Sequence, residues 1–384
     1  MPRLPWIIVV LLCAPAAFAG DPPRARDLGV PFDGTPGPWN AITDVAGVTV
    51  GQRTLIEDLA DGHAVRTGVT AVLPRGAGSL MQPAFSGWFT LNGNGEMTGT
   101  TWVEESGQLE GPVLLTNTHS VGVVRDAIIA WRIRKAGPDA TGYYWSLPVV
   151  AETWDGHLND INGFHVTAAD VAAALDGAVS GPVAEGNVGG GTGMICYELK
   201  CGIGTASRVV EILGASYTLG ALVQANYGLR DELVIAGVPV GRELPEDRVY
   251  SQPDPAAAGD GSIIVVLATD APLLPHQLKR VARRAALGLG RNGAIAHNGS
   301  GDIFIAFSTA DQSLGRADRL LTHQSIPNDE LDPLFAATVQ ATEEAIVNAL
   351  VAARDMTGDE GRYAKALPHG KLQELLAGAR RLTP

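Results

Sequence analysis

Residues 261–268 read Gly-Ser-Ile-Ile-Val-Val-Leu-Ala. This unbroken run of apolar, mostly β-branched residues is typical of a strand that is buried on both faces at the centre of a sheet. The segment before it, residues 242–261, contains three prolines and five acidic residues and has almost nothing to bury. It therefore predicts an exposed linker, and we expect the buried strand to begin with the polar residue Ser262.

Shorter patterns on both sides of this stretch predict the other elements. Short β-branched runs predict strands at residues 45–50, 68–73, 112–116, 147–152, 233–238 and 303–307. Helical periodicity and capping signals predict helices over residues 120–134, from Thr167 onward, over 275–289 and over 329–354. A Gly/Asn turn is predicted at residues 298–301. This mixture indicates a layered α/β or α+β fold.

The amino terminus has the features of a secretory signal peptide. Arg3 supplies a positive charge, residues 4–13 form an apolar region, and Ala17-Phe18-Ala19 fits a cleavage site. The apolar region spans about ten residues, fewer than the ~20 that a membrane-spanning helix needs. We expect residues 1–19 to be removed, and we expect the remaining chain to be a soluble protein of the periplasm or the extracellular space.

The composition excludes several classes of protein. Apolar residues make up 46% of the chain and charged residues 18%, which is typical of a well-buried globular enzyme and not of a disordered chain. The formal net charge of −13 repels phosphate backbones and anionic lipids, so we expect neither nucleic acid nor membranes as partners. No set of residues has the spacing of metal ligands, and we expect no metal and no cofactor.

Two cysteines remain once the predicted leader is removed, Cys196 and Cys201. In an oxidising compartment this pair could close a hairpin disulfide. Two unpaired small residues on neighbouring strands are the alternative, and the spacing alone does not decide between them.

The Gly261-Ser262 step has the features that intramolecular cleavage requires. Glycine tolerates strained backbone angles and lets the Ser262 hydroxyl approach the preceding carbonyl, so an acyl shift followed by hydrolysis would release Ser262 as a new N-terminus. A free α-amine has a reference pKa of about 7.7–8.0 and could take the hydroxyl proton, as histidine does in a catalytic triad. Gly-Ser before a strand is also typical of an ordinary turn, and these two residues leave both interpretations open.

Other catalytic motifs are absent or weak. The chain has no Gly-x-Ser-x-Gly elbow. His297 is the only histidine near Ser300 in sequence, and we interpret it as a residue of a surface turn. The glycine cluster at residues 186–193 lacks the lysine of a phosphate-binding loop, so we predict close backbone packing or an irregular loop there.

Seven segments, in order along the chain, carry a resemblance to a known family: residues 28–44, 66–74, 91–97, 158–163, 202–208, 224–228 and 261–266. The last two read Gln-Ala-Asn-Tyr-Gly and Gly-Ser-Ile-Ile-Val-Val. Together they resemble the DmpA/BapA-type peptidases, which are the L-aminopeptidase D-amidase/D-esterases and the β-peptidyl aminopeptidases. The resemblance extends from about residue 28 to the end, and it favours self-cleavage at Ser262 over the ordinary turn.

The resemblance implies a four-layer αββα sandwich like that of the N-terminal-nucleophile hydrolases. It also implies an N-terminal chain of residues 20–261 and a C-terminal chain of residues 262–384 that stay associated, commonly in homotetramers. The implied reaction is attack of a serine on an amide or ester carbonyl, which gives an acyl-enzyme whose hydrolysis releases an N-terminal residue. Small peptides, amino-acid amides and amino-acid esters are the implied substrates.

The resemblance also implies roles for individual residues. Ser262 is the expected nucleophile, and Asn226 is expected to help form the oxyanion hole. Ser300 is expected beside the nucleophile, with Asp302 on the same strand face to orient it or to bind the substrate amine. Glu152 is expected to face that amine, because a partly desolvated carboxylate binds an ammonium by a charge-assisted hydrogen bond.

Two positions depart from the family pattern. Trp154 stands where we expect a tyrosine whose hydroxyl is an oxyanion donor, so its indole is either a donor with a different reach or part of the substrate pocket. Asp302 stands where some members carry Glu, and a shorter acid would change the distance between the amine and the scissile bond. Both positions therefore bear on substrate preference.

Two rival functions remain at this point. Ornithine acetyltransferases resemble these peptidases but use a threonine nucleophile, and their cytosolic role in biosynthesis disagrees with the predicted export. An uncleaved periplasmic protein that binds amines or peptides is the rival from a different class. It would remain a single chain, whereas the hydrolase would consist of two.

Overall fold

Two β-sheets lie at the centre of the fold. The structure is a computed structural model that describes residues 22–76, 82–137, 141–249, 261–311, 313–315 and 318–383. The predicted signal peptide and residues 250–260 of the predicted linker lie outside the described residues. The strands are β1 Thr49–Asp58, β2 Ala64–Leu73, β3 Ala84–Gly93, β4 Gln108–Leu109, β5 Val113–Asn117, β6 Val149–Thr153, β7 Ile195–Cys196, β8 Leu199–Lys200, β9 Ile203–Ile212, β10 Ala215–Asn226, β11 Gly261–Thr269, β12 Ser300–Ser308, β13 Met356–Thr357 and β14 Tyr363–Ala364.

The two large sheets have simple strand orders. One sheet has six strands in the order β4-β3-β12-β11-β10-β9, and the other has four in the order β1-β2-β5-β6. Only β11–β12 and β5–β6 run parallel within these sheets, and the other neighbours are antiparallel. Strands β7 and β8 form a short separate hairpin, and β13 pairs with β14.

Helices cover the outer faces of both sheets. They are α1 Thr100–Ser106, α2 Val121–Ala136, α3 Ala168–Asp176, α4 Pro275–Arg291, α5 Asp332–Val351 and α6 His369–Gly378. Helices α4 and α5 pack on the six-stranded sheet, and α2 and α3 pack on the four-stranded sheet. In the part of the chain that the structure describes, no helix has the length and apolarity to cross a bilayer.

A buried apolar layer joins the inner faces of the two sheets. Its members come from β2, β5 and β6 on one side and from β10, β11 and β12 on the other: Val72, Val113, Leu115, Val149, Leu222, Ile264, Val266, Ile303, Ile305 and Phe307. The order of layers is therefore helices, sheet, sheet, helices. This arrangement confirms the four-layer αββα sandwich.

Strand β11 is buried on both of its faces, which explains its uninterrupted apolar sequence. Ile264 and Val266 belong to the layer between the sheets, whereas Ile263 and Val265 pack toward α4 and α5. The alternation is that of a regular strand. The prediction of a buried central strand directly after the linker is therefore confirmed.

Several predicted boundaries differ from those observed, and one element is wrong. The first predicted strand begins only at Thr49, and the predicted turn at 298–301 ends early because Ser300 and Gly301 already belong to β12. Residues 233–238 form no strand, although they are apolar. Ala236 and Gly237 have φ angles of 51° and 79°, which turn the chain so that Ile235 bonds back to Val238.

A buried ion pair attaches the longest helix to the six-stranded sheet. Glu344 of α5 is fully buried and accepts a bond of 2.6 Å from Arg208 of β9, and Arg26 and Asn40 donate to the same carboxylate. Burial acts to raise the pKa of Glu344, but these donors outweigh it and hold the pKa below its usual value. The stabilisation is present at neutral pH and is lost as the pH falls through this lowered pKa.

We predict that Glu344→Ala lowers the free energy of unfolding by about 3–5 kcal/mol, because Arg208 is left buried without its partner. Urea titration monitored by circular dichroism measures the change. The control is Glu374→Ala, which removes an exposed ion pair with Lys371 and is expected to cost less than about 1 kcal/mol. Equal effects of the two substitutions would contradict the role of the buried pair.

Candidate active site

The predicted nucleophile lies where three strands of the six-stranded sheet meet. Ser262 is the second residue of β11, opposite Asn226 at the end of β10 and beside Gly301 at the start of β12. The backbone N–H of Gly301 donates to Ser262 Oγ over 3.2 Å. Only 6% of Ser262 is exposed. The hydroxyl therefore has a defined position at the start of the central strand β11.

Gly261 is packed against the backbone of β10. A Cβ atom at this position would lie 2.5 Å from the carbonyl oxygen of Asn226 and 2.7 Å from the Cα of Tyr227. Backbone atoms cannot move aside as a flexible side chain can. Close approach of two backbones is therefore a second reason for glycine before Ser262, beyond the conformational freedom expected from the sequence.

The orientation of the Asn226 side chain is set by one hydrogen bond. Its Oδ1 accepts the backbone N–H of Ile195 over 2.8 Å, so the NH₂ group lies at the opposite end of the amide. Asn226 and Ser262 are direct cross-strand partners, whose Cβ atoms lie about 4.5–5.5 Å apart in such pairs. The donor end of the amide is thus available near the Ser262 hydroxyl.

Ser300 and Asp302 form a buried pair at the start of β12. The Ser300 hydroxyl donates to Asp302 Oδ1 over 2.7 Å, and Asp302 is 1% exposed. Among the described residues Asp302 Oδ2 has no hydrogen-bond partner. Burial raises the pKa of Asp302 to about 6, against the opposing effects of Ser300, the Ile263 backbone and His297.

The register of β11 and β12 places this pair beside Gly261, and the Ser262 side chain lies on the opposite face of the sheet. Ser300 pairs with Gly261, and Asp302 pairs with Ile263. Because faces alternate along a strand, Asp302 shares its face with Ile263, whereas Ser262 shares its face with Ile264 on the side of the second sheet. The pair therefore lies next to the Gly261–Ser262 peptide bond.

Glu152 reaches the same region from the four-stranded sheet. It lies in β6, is 4% exposed, and accepts a 2.9 Å bond from the Glu96 N–H and a second bond from the Thr118 hydroxyl. Burial raises its pKa, and these two bonds oppose the rise. A Cβ atom at Gly95 would lie 3.1 Å from Gly301 Cα and 3.4 Å from Glu152 Oε1. The carboxylate is thus separated from β12 by a single glycine.

Trp154 differs from the other predicted site residues. It follows β6 and is 44% exposed, whereas Glu152, Asn226, Ser262, Ser300 and Asp302 are all buried. Its indole ring lies against Gly156, where a Cβ atom would be 2.7 Å from the ring. The structure therefore brings the other five predicted residues together in the interior, whereas Trp154 is partly exposed two residues beyond Glu152.

Three residues that hydrogen-bond to the predicted site side chains were not identified from the sequence. Glu96 and Thr118 bind Glu152, and Ile195 binds Asn226. Glu96 lies within residues 91–97, one of the segments that carried the family resemblance. Ile195 acts through its backbone, which leaves no signal in the side chains.

His297 and the glycine cluster match their non-catalytic interpretations. His297 is half-buried and bonds Glu232 over 2.6 Å, while its carbonyl accepts the Ser300 N–H. In the glycine cluster a Cβ at Gly190 would lie 2.8 Å from the Leu115 carbonyl oxygen, and one at Gly191 would lie 2.4 Å from the Ile203 nitrogen. The cluster is therefore a site of close backbone packing, as predicted.

Other surface features lie apart from these residues. A cavity of about 850 Å³ is formed between residues 22–27, 182–188 and 352–356, and none of the predicted site residues lines it. His63, Asp359 and Glu360 form a group with possible metal ligands. Arg362 bonds both carboxylates of that group, which supplies the positive charge that a metal ion would bring.

Comparisons with known proteins agree with this geometry. The sequence profile of peptidase family S58 matches residues 40–364. The chain is 56% identical over 396 aligned residues to the β-peptidyl aminopeptidase BapA of Sphingosinicella microcystinivorans, covering 99% of this chain and 98% of the relative. It is 50% identical to the protein of the same name from Sphingosinicella xenopeptidilytica, with 96% and 94% covered.

A solved structure shows the same fold. The L-aminopeptidase D-Ala-esterase/amidase of Ochrobactrum anthropi, described as a prototype for the serine aminopeptidases and a variant of the N-terminal-nucleophile hydrolase fold, superposes with a TM-score of 0.87. It is 51% identical, and the match covers 94% of this chain and 100% of that one. The chain therefore belongs to peptidase family S58 and is an enzyme, a serine aminopeptidase with the N-terminal-nucleophile hydrolase fold.

Proposed function

We propose that the chain is an exported, self-cleaving serine aminopeptidase that hydrolyses the amide or ester bond after an N-terminal residue through an acyl-enzyme on Ser262. The observation that carries the proposal is the position of Ser262. It lies one residue into the central strand, with its hydroxyl bonded to the Gly301 N–H and with Asn226 directly opposite.

Self-cleavage creates the catalytic base. The Ser262 Oγ attacks the Gly261 carbonyl carbon, the C–N bond breaks, and the resulting ester links Gly261 to the Ser262 oxygen. Water then hydrolyses the ester, which leaves a carboxylate on Gly261 and a free α-amine on Ser262. The products are an N-terminal chain ending at Gly261 and a C-terminal chain of residues 262–384.

The new amine and the hydroxyl then act together. The amine takes the proton of Ser262 Oγ as the oxygen attacks the substrate carbonyl, and it returns the proton to the leaving amine. The Asn226 NH₂ donates to the developing oxyanion, an interaction of about 2.7–4 kcal/mol in comparable enzymes. Ser300 and Asp302, which lie beside the Gly261–Ser262 bond, orient the amine of Ser262.

The buried carboxylate of Glu152 suits a substrate with a free amino group. Glu152 is held by Glu96 and Thr118 and lies close to Gly301. A substrate ammonium would compensate the charge of the Glu152 carboxylate, whereas a neutral N-terminus would not. Trp154, which is exposed beside this region, would line the pocket for the substrate side chain. The relatives named β-peptidyl aminopeptidases support peptides that begin with a β-amino acid as substrates.

Separate features support the proposed location and assembly. The signal-peptide pattern of residues 1–19 supports export to the periplasm or beyond. Cys196 and Cys201, whose pairing the sequence left open, form a disulfide, which is typical of proteins from oxidising compartments. The family resemblance supports a homotetramer. Hydrolysis is preferred over acyl transfer because the matched relatives are aminopeptidases.

We predict that the purified protein consists of two chains under denaturing conditions and that the C-terminal chain begins at Ser262. Ser262→Ala removes the attacking hydroxyl and is expected to leave a single chain. Intact-mass analysis and N-terminal sequencing test both statements. The control is Ser216→Ala on an exposed part of β10, which is expected to be cut normally. A single wild-type chain, or a cut at another bond, would argue against the mechanism.

We predict that substrate recognition requires a free amine and the Glu152 carboxylate. A peptide with an acetylated N-terminus is expected not to be hydrolysed. Glu152→Gln is expected to lower kcat/KM by about 10- to 100-fold, which corresponds to the loss of one charge-assisted hydrogen bond. Steady-state kinetics on the cut variant measures this effect, with the exposed-residue variant Glu105→Gln as control. Equal turnover of free and acetylated peptides would remove this role from Glu152.

A further inference from the structure

A small hairpin outside the two large sheets contacts the proposed oxyanion donor. The hairpin comprises residues 195–201, with β7 and β8 joined by a turn at Tyr197 and Glu198, whose φ angles are 52° and 57°. The Cys196–Cys201 disulfide closes it, with the two Cα atoms 5.4 Å apart. We call this segment the disulfide hairpin. All seven of its residues are buried.

One peptide unit joins the hairpin to Asn226. The N–H of Ile195 donates to Asn226 Oδ1 over 2.8 Å. The carbonyl of the same peptide unit belongs to Met194, and it accepts bonds from Lys200 Nζ at 2.8 Å and from the Cys201 N–H at 3.1 Å. Because a peptide unit is planar, groups that hold its carbonyl also fix the direction of its N–H.

Lys200 is buried at a high energetic cost. Its side chain is fully buried, and its ammonium also donates to the carbonyls of Cys201 at 2.6 Å and Gly191 at 3.5 Å. Burial lowers the pKa of Lys200 well below its usual value. An apolar side chain would avoid this desolvation cost. Its hydrogen bonds to the Met194 carbonyl and to the neighbouring carbonyls indicate that Lys200 holds the Met194–Ile195 peptide unit in place.

The hairpin is also bonded to the residue after Asn226. The Tyr197 N–H donates to the carbonyl of Tyr227 over 2.7 Å, and the two tyrosine hydroxyls lie 3.2 Å apart. Asn226 is thus contacted by the hairpin through its side chain and through the neighbouring backbone. A shift of the hairpin would move or release the amide, whereas Ser262 has its own bond to Gly301.

We propose that the disulfide hairpin positions the Asn226 amide toward the reacting carbonyl, with Lys200 and the Cys196–Cys201 disulfide as positioning residues. The proposal rests on the proposed function, because it assigns Asn226 to the oxyanion. Loss of either restraint loosens the Met194–Ile195 peptide unit, so the Asn226 amide can rotate and its NH₂ points at the oxyanion for a smaller fraction of the time. Such a defect lowers kcat and leaves ground-state binding of the substrate intact.

The experiment uses the processed enzyme with both of its chains and a peptide substrate with a free amine that the wild type hydrolyses. Lys200→Met keeps the length of the side chain and removes its donors. We expect kcat to fall by about 10- to 100-fold and KM to change by less than about twofold. This loss of kcat does not exceed the loss that removal of a whole oxyanion donor causes. In a parallel arm, dithiothreitol together with a low concentration of urea, which is needed because both cysteines are buried, reduces the wild-type disulfide. After the urea is removed, mass spectrometry of alkylated peptides confirms free thiols at Cys196 and Cys201. The expected loss of kcat is reversed on reoxidation.

A matched control separates positioning from general loss of stability. Ile128→Ala creates a cavity in α2, on the outer face of the other sheet, and is expected to lower the melting temperature without lowering kcat. If Lys200→Met does not fold, the reduction arm decides the question on the wild-type protein.

Either arm can overturn the proposal. Folded enzyme with unchanged kcat after the substitution or after reduction would contradict it, as would a loss that appears only in KM or only in proportion to the unfolded fraction. A wild-type enzyme without activity on amine-bearing substrates would instead contradict the proposed function.

Discussion

The site depends on the pairing of β11 between β10 and β12. This register places Ser262 opposite Asn226 and beside Gly301, so the proposed nucleophile, the proposed oxyanion donor and the backbone N–H that bonds the hydroxyl come from three adjacent strands. A shift by one residue would turn Ser262 toward the helices. Such a shift would require the side chains on both faces of β11 to repack, because each face is buried in its own closely packed core.

The polar groups around Ser262 are held at positions where burial is costly. Glu152 and Asp302 both have raised pKa values because of their burial, and Asp302 keeps one oxygen unpaired among the described residues. Such groups reduce stability unless a partner arrives. A substrate ammonium and the α-amine that cleavage before Ser262 would create are partners of the right charge, so the proposed function would compensate energetic costs that are already present in the fold.

Sequence patterns predicted the parts of the fold that depend on side-chain alternation. The run at 261–268 indicated a central strand because both of its faces are apolar, and the ordered family segments indicated the residues that gather around Ser262. The strand predicted from the apolar run at 233–238 was wrong because Ala236 and Gly237 turn the chain there. The contact between Ile195 and Asn226 could not be predicted, since the donor is a backbone N–H and any residue type could supply it.

An acyl group on Ser262 is the covalent intermediate of the proposed reaction, and it can be trapped. The processed enzyme is mixed with an activated ester of an amino acid, quenched in acid within the first turnover and digested for peptide mass mapping. We expect one acyl increment, on the peptide that begins with Ser262, and its removal by hydroxylamine as expected for an ester. Acylation of a different residue, or turnover without any acyl-enzyme under these conditions, would rule out Ser262 as the nucleophile.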